Sequence, residues 1–274
     1  MTNTLLLPSL AELDQRYQHL VSLAQDLPPD GSLPITVCGR VAGWATAAAK
    51  DCLQEIAGVQ VTDEAIHIAW CDQPNPQLDD FLAHIAQRLH EAGLVKAWRD
   101  ERLDVIAEGE KLAAIERGAM RPLGLLTQAV HLNAWSQDGR LWVAKRAANK
   151  PTDPNMWDTL VGGLATAHED LDTSLLRESE EEAGLLPEHL KAREPMRMLL
   201  RMYRRLPEGY QVENVLVNDC VLPDGVIPKN QDGEVSEIRL LTIAEWWDMA
   251  QAGLFTIEAE MVLIDSVRLR LMQA

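Results

Sequence analysis

Basic residues are scarce in this sequence relative to acidic ones. The 274 residues include 25 lysines and arginines against 42 aspartates and glutamates, which gives a formal net charge of −17 at pH 7. A protein that binds nucleic acid needs surplus lysine and arginine to neutralise the phosphates. The composition therefore argues against a nucleic-acid partner. A small diphosphate ligand stays compatible with it, because a bound metal ion can meet the charge of so small a molecule.

Cysteines are few and widely spaced, and long apolar runs are missing. Cys38, Cys52, Cys71 and Cys220 form no CxxC pair, so we expect reduced thiols rather than a disulfide framework or a zinc site. No stretch approaches the ~20 apolar residues that a bilayer-spanning helix needs. The first residues lack the basic start and apolar run of a signal peptide. We therefore expect a soluble, cytoplasmic protein with no membrane partner.

The chain is longer than one average domain, and its pattern changes along its length. Apolar residues recur at helical steps over residues 9–27 and 77–92, with short strand-like runs around them. From about residue 121 onward strand-like runs predominate, beginning with a predicted hairpin. We predict a small α/β domain over residues 1–118 and a second domain over residues 119–274.

The second part contains a loop with two adjacent glycines that leads into a glutamate-rich helix, over residues 162–185. Successive helical residues are about 100° apart, so Glu178, Glu181 and Glu182 fall within about one quadrant of the helix surface. Three carboxylates on one face repel each other unless a cation lies among them. Hard divalent ions prefer oxygen ligands and bring phosphates with them. The segment therefore predicts a site for a metal ion and a pyrophosphate.

The limits of this helix can also be predicted. Asp172 or Thr173 could cap its start, and Gly184 is expected to end it. Ser179 lies on the face turned away from the glutamates, which should pack on a sheet. We expect its hydroxyl to bond back to the carbonyl of Leu175.

The segment resembles the Nudix box. That motif reads, in words, glycine, five spacers, Glu, seven spacers, Arg-Glu, an apolar residue, a spacer, Glu-Glu, a spacer, Gly and an apolar residue. Every spacing holds here, and only Ser179 departs, standing where an aliphatic residue is usual. The positions are Gly163, Glu169, Arg177, Glu178, Ser179, Glu181, Glu182, Gly184 and Leu185. The resemblance implies a Nudix α/β/α sandwich with a mixed sheet, here preceded by a small α/β domain, and hydrolysis of a diphosphate.

Diphosphate hydrolysis needs a metal ion, a base and an orienting pocket. Glu178 and Glu182, one helical turn apart, are the preferred ligands of Mg²⁺ or Mn²⁺, with Glu181 assisting directly or through water; the resemblance implies the same assignment. The carbonyl of Gly163 can approach a metal because glycine leaves room. Glu169, in the loop, is a candidate either for a second ion or for a salt bridge that orients Arg177.

The predicted catalytic group consists of Arg177 and the three glutamates of the helix face. For Arg177 we expect a buried ion pair that holds the loop. The general base stays open between Glu178 and Glu182, because family members place it on different glutamates. Upstream of the box, Arg146 and Lys150 are candidates to contact phosphate.

Stretches outside the box resemble one subgroup, the thiamin pyrophosphokinase-related Nudix hydrolases, which carry an extra N-terminal domain. The stretches are residues 129–133, 141–146, 150–154, 157–163 and 230–235. The resemblance implies a pocket lined by His131, Asn133, Arg146, Lys150 and Asp158. It also implies removal of phosphate from thiamine diphosphate or its oxidised forms, a metabolite-repair role. Ile238 and residues 255–257 depart from the subgroup pattern, which leaves the substrate open.

Three other functions are compatible with this pattern to different degrees. The chain could hydrolyse ADP-ribose or another nucleoside diphosphate, or it could sense a nucleotide without cutting it. Loss of box carboxylates would favour a sensor, and none is lost. A Nudix-type isopentenyl diphosphate isomerase would need a cysteine near the glycine loop, and residues 161–164 contain none. The expected partner is a small-molecule diphosphate, and a homodimer is compatible with the sequence.

Overall fold

The computed structural model describes residues 6–68, 76–150, 152–231 and 233–273. Cys71 and residues 151 and 232 of the resembling stretches lie outside the described residues. The helices of the described part are α1 (Leu10–Leu23), α2 (Ala47–Leu53), α3 (Pro76–Glu91), α4 (Met120–Leu123), α5 (Leu171–Ala183), α6 (Ile243–Gln251) and α7 (Ile257–Gln273). Its strands are β1 (Leu33–Val37), β2 (Arg40–Ala45), β3 (Val59–Val61), β4 (Ile66–Ile68), β5 (Arg102–Ala107), β6 (Glu110–Glu116), β7 (Leu126–Trp135), β8 (Leu141–Arg146), β9 (Trp157–Thr159), β10 (Val161–Leu164), β11 (Arg197–Leu206), β12 (Gly209–Val221) and β13 (Val235–Leu241).

The first half of the chain forms a small α/β unit. Its sheet has the strand order β2-β1-β4-β3, in which β1 and β4 are parallel and the other pairs antiparallel. β5 and β6 form a separate antiparallel hairpin. The unit buries one core, to which Ile35, Leu53, Leu82, Leu89 and Ile115 contribute. Its amphipathic helices therefore bury their apolar stripes against this sheet and hairpin.

The second half is built on a mixed sheet in the order β11-β12-β7-β8-β13, with β10 paired to β7 and β9 to β8. β7 is parallel to β12 and antiparallel to β8 and β10. Successive strand residues point to opposite faces: Trp135 packs with α6 and α7, whereas Val130 and Leu132 pack with α5. Helices thus cover both faces, and the predicted α/β/α sandwich with a preceding α/β region is confirmed.

Helix α1 precedes the first unit in sequence but packs in the second. Leu13 and Leu20 belong to the core that includes the C-terminal helix, and Arg16 forms a salt bridge of 2.6 Å with Glu260 of α7. Ser9 caps the helix in a capping box with Glu12. The domain division at residue 118 stays a prediction, and this packing shows that the second core recruits a segment from before it.

The cysteine prediction is wrong for one residue. Cys38 is disulfide-bonded, whereas Cys52 and Cys220 are free thiols. Residue spacing along the chain does not report which cysteines the fold brings together, because a disulfide needs only that two Cβ atoms approach in space.

No helix in the described ranges is both long and apolar enough to cross a membrane.

The position of α1 can be tested by a pair of leucine-to-alanine substitutions. Leu13→Ala should lower the free energy of unfolding by about 2–5 kcal/mol, because Leu13 is fully buried in the second core. Leu10→Ala in the same helix should change it by no more than about 0.5 kcal/mol, since Leu10 is 42% exposed. Urea denaturation of both variants measures the difference. Equal effects would contradict the packing of α1 on α7.

Candidate functional site

Strand β10 places the two glycines between the sheet and α5. It pairs antiparallel with β7, so that Gly162 lies opposite His131 and Gly163 opposite Val130. Asp170 caps α5, accepting a hydrogen bond of 2.7 Å from the backbone N–H of Thr173. The prediction of Asp172 or Thr173 as the cap is therefore wrong, because the helix already begins at Leu171 and both residues lie in its first turn. Gly184 ends the helix with φ +63°, as predicted.

The sheet-facing side of α5 is built as predicted. Ser179 is fully buried, and its Oγ donates a hydrogen bond of 2.7 Å to the carbonyl of Leu175. The expected bond is confirmed. A buried hydroxyl that is satisfied within its own helix costs little, which explains how serine replaces the usual aliphatic residue.

Arg177 links the loop to the helix. Its guanidinium lies 3.3 Å from Glu169, 2.9 Å from Glu178 and 3.0 Å from Glu181. Burial alone would lower the pKa of Arg177, but the three carboxylates raise it above its ordinary value. The predicted ion pair that holds the loop is confirmed, but it is half-buried rather than buried. Three of the four predicted acidic ligands share one cation.

Glu178 lies directly against the backbone of Gly163. A Cβ atom added at Gly163 would overlap the carboxylate of Glu178, so only glycine permits this approach. The side chain of Glu178 is only 14% exposed. Burial raises the pKa of Glu178 above its ordinary value, although the neighbouring Arg177 acts against this.

Glu182 is the most buried carboxylate of the box. It is 8% exposed and accepts a hydrogen bond of 2.9 Å from the backbone N–H of Gly162. Burial raises the pKa of Glu182 to about 8; the hydrogen bond from Gly162 acts against this, as does Lys150, while Glu178 and Asp158 add to it. The glycine loop therefore binds Glu182 through its backbone and leaves room for Glu178.

The predicted metal ligands are neighbours but are engaged with other partners. Glu169, Glu178 and Glu181 contact Arg177, and Glu182 contacts Gly162. Over the described ranges, no group of three or more His, Cys, Asp or Glu side chains is arranged to hold a metal ion. Their assignment as ligands stays a prediction.

The predicted phosphate-binding cations are each paired with an acid. Nη1 of Arg146 donates a hydrogen bond of 2.8 Å to Asp158, and Lys150 forms a salt bridge with Glu234. Both Lys150 and Asp158 act on the pKa of Glu182. The structure therefore brings these predicted substrate residues beside the box.

His131 and Asn133 lie on the opposite face of the sheet from α5. His131 is buried; its Nδ1 lies 3.0 Å from Oγ1 of Thr159 and its Nε2 lies 2.8 Å from Oε1 of Glu258. Burial alone would lower the pKa of His131, but the hydrogen bond and charge of Glu258 raise it. Asn133 donates to the carbonyl of Val262 at 3.4 Å.

Two acidic residues on this face were not predicted from the sequence. Glu213, on β12, is 5% exposed, and Glu258 lies in the first turn of α7. The strand also contains Gln211, Asn214, Asn218 and Asp219, so its sequence does not single out Glu213. Nothing local distinguishes Glu258, because only the packing of α7 on the sheet brings it to His131.

Most of the tryptophans near the site belong to the core. Trp135 is fully buried and donates from Nε1 to Ser266 at 3.0 Å, and Trp157 is 5% exposed. Neither offers a free ring face to a ligand. Tyr203 instead lines a cleft of about 570 Å³ between the two units, together with Trp44, Lys111 and Arg201.

The first unit supports the loop between β10 and α5. The backbone N–H of Ala167 donates to the carbonyl of Arg102 at 2.8 Å, and that of His168 donates to Asp104 at 3.2 Å. Nζ of Lys111 donates to the carbonyl of Glu169 at 3.0 Å. The β5–β6 hairpin therefore braces the loop that presents Glu169.

Comparison with known proteins adds to this geometry. The NUDIX domain family model matches residues 125–262. Nudix hydrolase 24, chloroplastic, of Arabidopsis thaliana is 30% identical over 191 residues, covering 67% of this chain and 52% of that protein. An uncharacterized protein of Saccharomyces cerevisiae is 28% identical over 188 residues, covering 62% and 55%. The chain thus spans about half the length of these curated relatives. The crystal structure of DR0079 from Deinococcus radiodurans is 24% identical, covering 59% of this chain and 97% of that one, with a TM-score of 0.47.

The pair of His131 and Glu258 should make stability depend on pH. The pair raises the pKa of His131 above 6.5; burial alone would raise the pKa of Glu258, but the bond to His131 lowers it below 4.5. The stabilisation is complete between these two values, is lost as the pH rises through the folded-state pKa of His131, and is lost as it falls through that of Glu258.

Glu258→Gln keeps hydrogen-bonding capacity but removes the charge. We expect the variant to be destabilised relative to the wild type by more at about pH 5.5 than at about pH 9. Urea denaturation of both proteins at the two pH values measures this. A difference that does not change with pH would contradict the ion pair.

Proposed function

Because this chain belongs to the NUDIX-domain family, we propose that it is a divalent-metal-dependent hydrolase that cleaves a phosphate or diphosphate bond of a small metabolite. The observation that carries this proposal is the preformed glycine loop. Gly162 donates its N–H to Glu182, and Gly163 leaves room for Glu178. Two carboxylates with no other reason to be buried are thereby held at one loop.

The carboxylates beside the glycine loop are suitable ligands for Mg²⁺ or Mn²⁺. Glu178 and Glu182 both have raised pKa values caused chiefly by burial, and a divalent cation would offset the charge that burial disfavours. Carboxylate oxygens are the donors that these hard ions select. Glu178 and Glu182 would hold the ion, with the carbonyl of Gly163 and the carboxylates of Glu169 and Glu181 as further donors. A bound ion would neutralise phosphate charge and acidify a water molecule.

The surrounding side chains orient the carboxylates and the substrate. Arg177 restrains Glu169, Glu178 and Glu181 through its shared guanidinium. Arg146 and Lys150 would contact phosphate oxygens by exchanging their present carboxylate partners for the ligand. Glu182 and Glu178 are the two candidates for the general base, because a metal ion bound by them would acidify the attacking water beside them.

For the substrate we propose thiamine diphosphate or one of its oxidised forms. The support is the set of flanking stretches that resemble the thiamin pyrophosphokinase-related hydrolases, whose predicted pocket residues His131, Arg146, Lys150 and Asp158 adjoin the glycine loop. ADP-ribose or another nucleoside diphosphate is the alternative substrate. Retention of all the box carboxylates favours a hydrolase over a nucleotide sensor.

A substrate panel tests this proposal. The purified protein is incubated with Mg²⁺ or Mn²⁺ and oxo-thiamine diphosphate, thiamine diphosphate, ADP-ribose or isopentenyl diphosphate, and released phosphate and products are followed. We expect turnover of the thiamine compounds. Turnover of ADP-ribose alone would rule out the thiamine assignment, and binding without any turnover would favour a sensor.

Replacement of one box glutamate should abolish hydrolysis. Glu182→Gln removes the charge while preserving shape, and we expect the rate to fall at least about 100-fold. Glu180→Gln is the matched control, because Glu180 lies on the same helix but is exposed to solvent. Steady-state kinetics of the two variants measure the contrast. Full activity of Glu182→Gln would show that this carboxylate has been misassigned.

Crowding the loop should weaken metal binding. The added methyl of Gly163→Ala would overlap the carboxylate of Glu178, so that Glu178 must move. We expect the affinity for Mn²⁺ to fall by about tenfold or more. Isothermal titration calorimetry measures it, with Glu180→Gln as control and thermal unfolding to verify the fold. Unchanged affinity would place the metal away from Gly163.

A further inference from the structure

A buried polar cluster lies on the sheet face opposite α5, and the proposed hydrolysis does not account for it. At its centre, Glu213 is 5% exposed. Oγ1 of Thr127 donates to Glu213 at 2.6 Å, and Nε2 of Gln211 donates to Glu213 at 2.5 Å. We call Thr127, His131, Gln211, Glu213 and Glu258 the acceptor cluster.

The acceptor cluster has more acceptors than donors. A carboxylate offers about four lone-pair sites, and Glu213 receives two hydrogen bonds from side chains. Gln211 is 6% exposed, and its Oε1 is buried without a hydrogen-bond partner among the described residues. Buried polar atoms in folded proteins are almost always paired. The unpaired amide oxygen next to Glu213 therefore points to a ligand that donates hydrogen bonds.

The acceptor cluster is also charged in a way that favours a positive ligand. Burial raises the pKa of Glu213, and the negative charge of Glu258 raises it further, whereas the hydrogen bonds of Glu213 and the charge of Arg121 act in the opposite direction. Two carboxylates in a dry site repel each other unless a positive charge lies between or beside them. His131 serves Glu258 through their hydrogen bond of 2.8 Å, but Glu213 has hydrogen bonds only from neutral side chains.

The acceptor cluster adjoins the candidate phosphate site. His131 lies opposite Gly162 in the β7–β10 pairing, and the N–H of Gly162 holds Glu182. The charge of Asp158 acts on the pKa values of both Glu182 and His131. Arg146, the ion-pair partner of Asp158, acts on the pKa of Glu258. A ligand with its phosphates beside Arg146 could therefore extend into the acceptor cluster. Of the five residues, only Glu258 is not buried, and its side chain is 18% exposed.

We propose that the acceptor cluster binds the organic end of the substrate, and that it selects a protonatable amino-heterocycle with at least two N–H donors. Glu213 and Gln211 are the specificity-determining residues and accept these hydrogen bonds, while Thr127 positions the Glu213 carboxylate. This inference rests on the proposed function, because it assumes that the diphosphate lies at the glycine loop. An isoprenoid tail, which has no N–H donor, would not be selected.

Two probes separate this site from the phosphate site. The first is thiamine, which carries an aminopyrimidine and no phosphate; the second is inorganic pyrophosphate with Mn²⁺. Isothermal titration calorimetry measures the affinity of each for the wild type, Glu213→Gln, Gln211→Met and a control, Glu188→Gln, which is exposed to solvent. Thermal unfolding shows whether each variant keeps its fold. If Glu213→Gln does not fold, the thiamine affinity of Gln211→Met tests the inference instead.

We expect Glu213→Gln to lower the affinity for thiamine by about tenfold to a hundredfold, as loss of a charged hydrogen bond does. Gln211→Met should lower it less, and Glu188→Gln should leave it unchanged. Affinity for pyrophosphate should be unchanged in all three variants. Thiamine binding that is lost while pyrophosphate binding persists supports the inference.

Three results would overturn it. The first is unchanged thiamine affinity in Glu213→Gln, which refutes the acceptor cluster even if hydrolysis is confirmed. The second is an equal loss of thiamine and pyrophosphate affinity, which would show an effect on the phosphate site or on the fold. The third is a loss of thiamine affinity in Arg201→Ala but not in Glu213→Gln, which would move the organic end to the cleft between the units. If thiamine binds as expected but no diphosphate is hydrolysed, the proposed function fails while the site stands.

Discussion

Two adjacent glycines on β10 carry the contact on which the candidate site depends. As part of the sheet they must pair with β7, and at the same place they receive two carboxylates from α5. The backbone N–H of Gly162 donates a hydrogen bond to Glu182. Gly163 has no side chain and therefore leaves room for Glu178. A side chain at Gly163 would displace the carboxylate of Glu178. Both carboxylates are largely buried at this contact.

Arg177 offsets the negative charge of the glutamates on the solvent-exposed side of the site. A single guanidinium joins the loop residue Glu169 to Glu178 and Glu181 on the helix. Removing such a cation leaves like charges unopposed, which is costly when they are partly buried. Arg177 therefore restrains the positions of Glu169, Glu178 and Glu181 through its ion pairs.

The two units of the chain support each other through segments that cross between them. The β5–β6 hairpin of the first unit braces the loop before α5. In the other direction, α1 packs its leucines into the core of the second unit. Each unit therefore contributes a segment that contacts the other, and the loop before α5 has hydrogen-bond partners in the first unit.

The local features of the site could be predicted from the order of the residues alone. The box helix, its C-terminal glycine, the Ser179 bond and the ion pairs of Arg177 all join residues within one loop and helix, so their spacing in the chain sets their spacing in space. The sandwich followed from the resemblance of that same segment. β6, by contrast, was not predicted, because its Glu, Lys, Leu and Ala residues favour helices and only pairing with β5 makes it a strand. Three features were seen only in the tertiary structure: the packing of α1 in the second core, the disulfide bond of Cys38, and the proximity of Glu213 and Glu258 to His131. These contacts join residues far apart in the chain, and their partners are chosen by sheet order and helix packing, which no local spacing records.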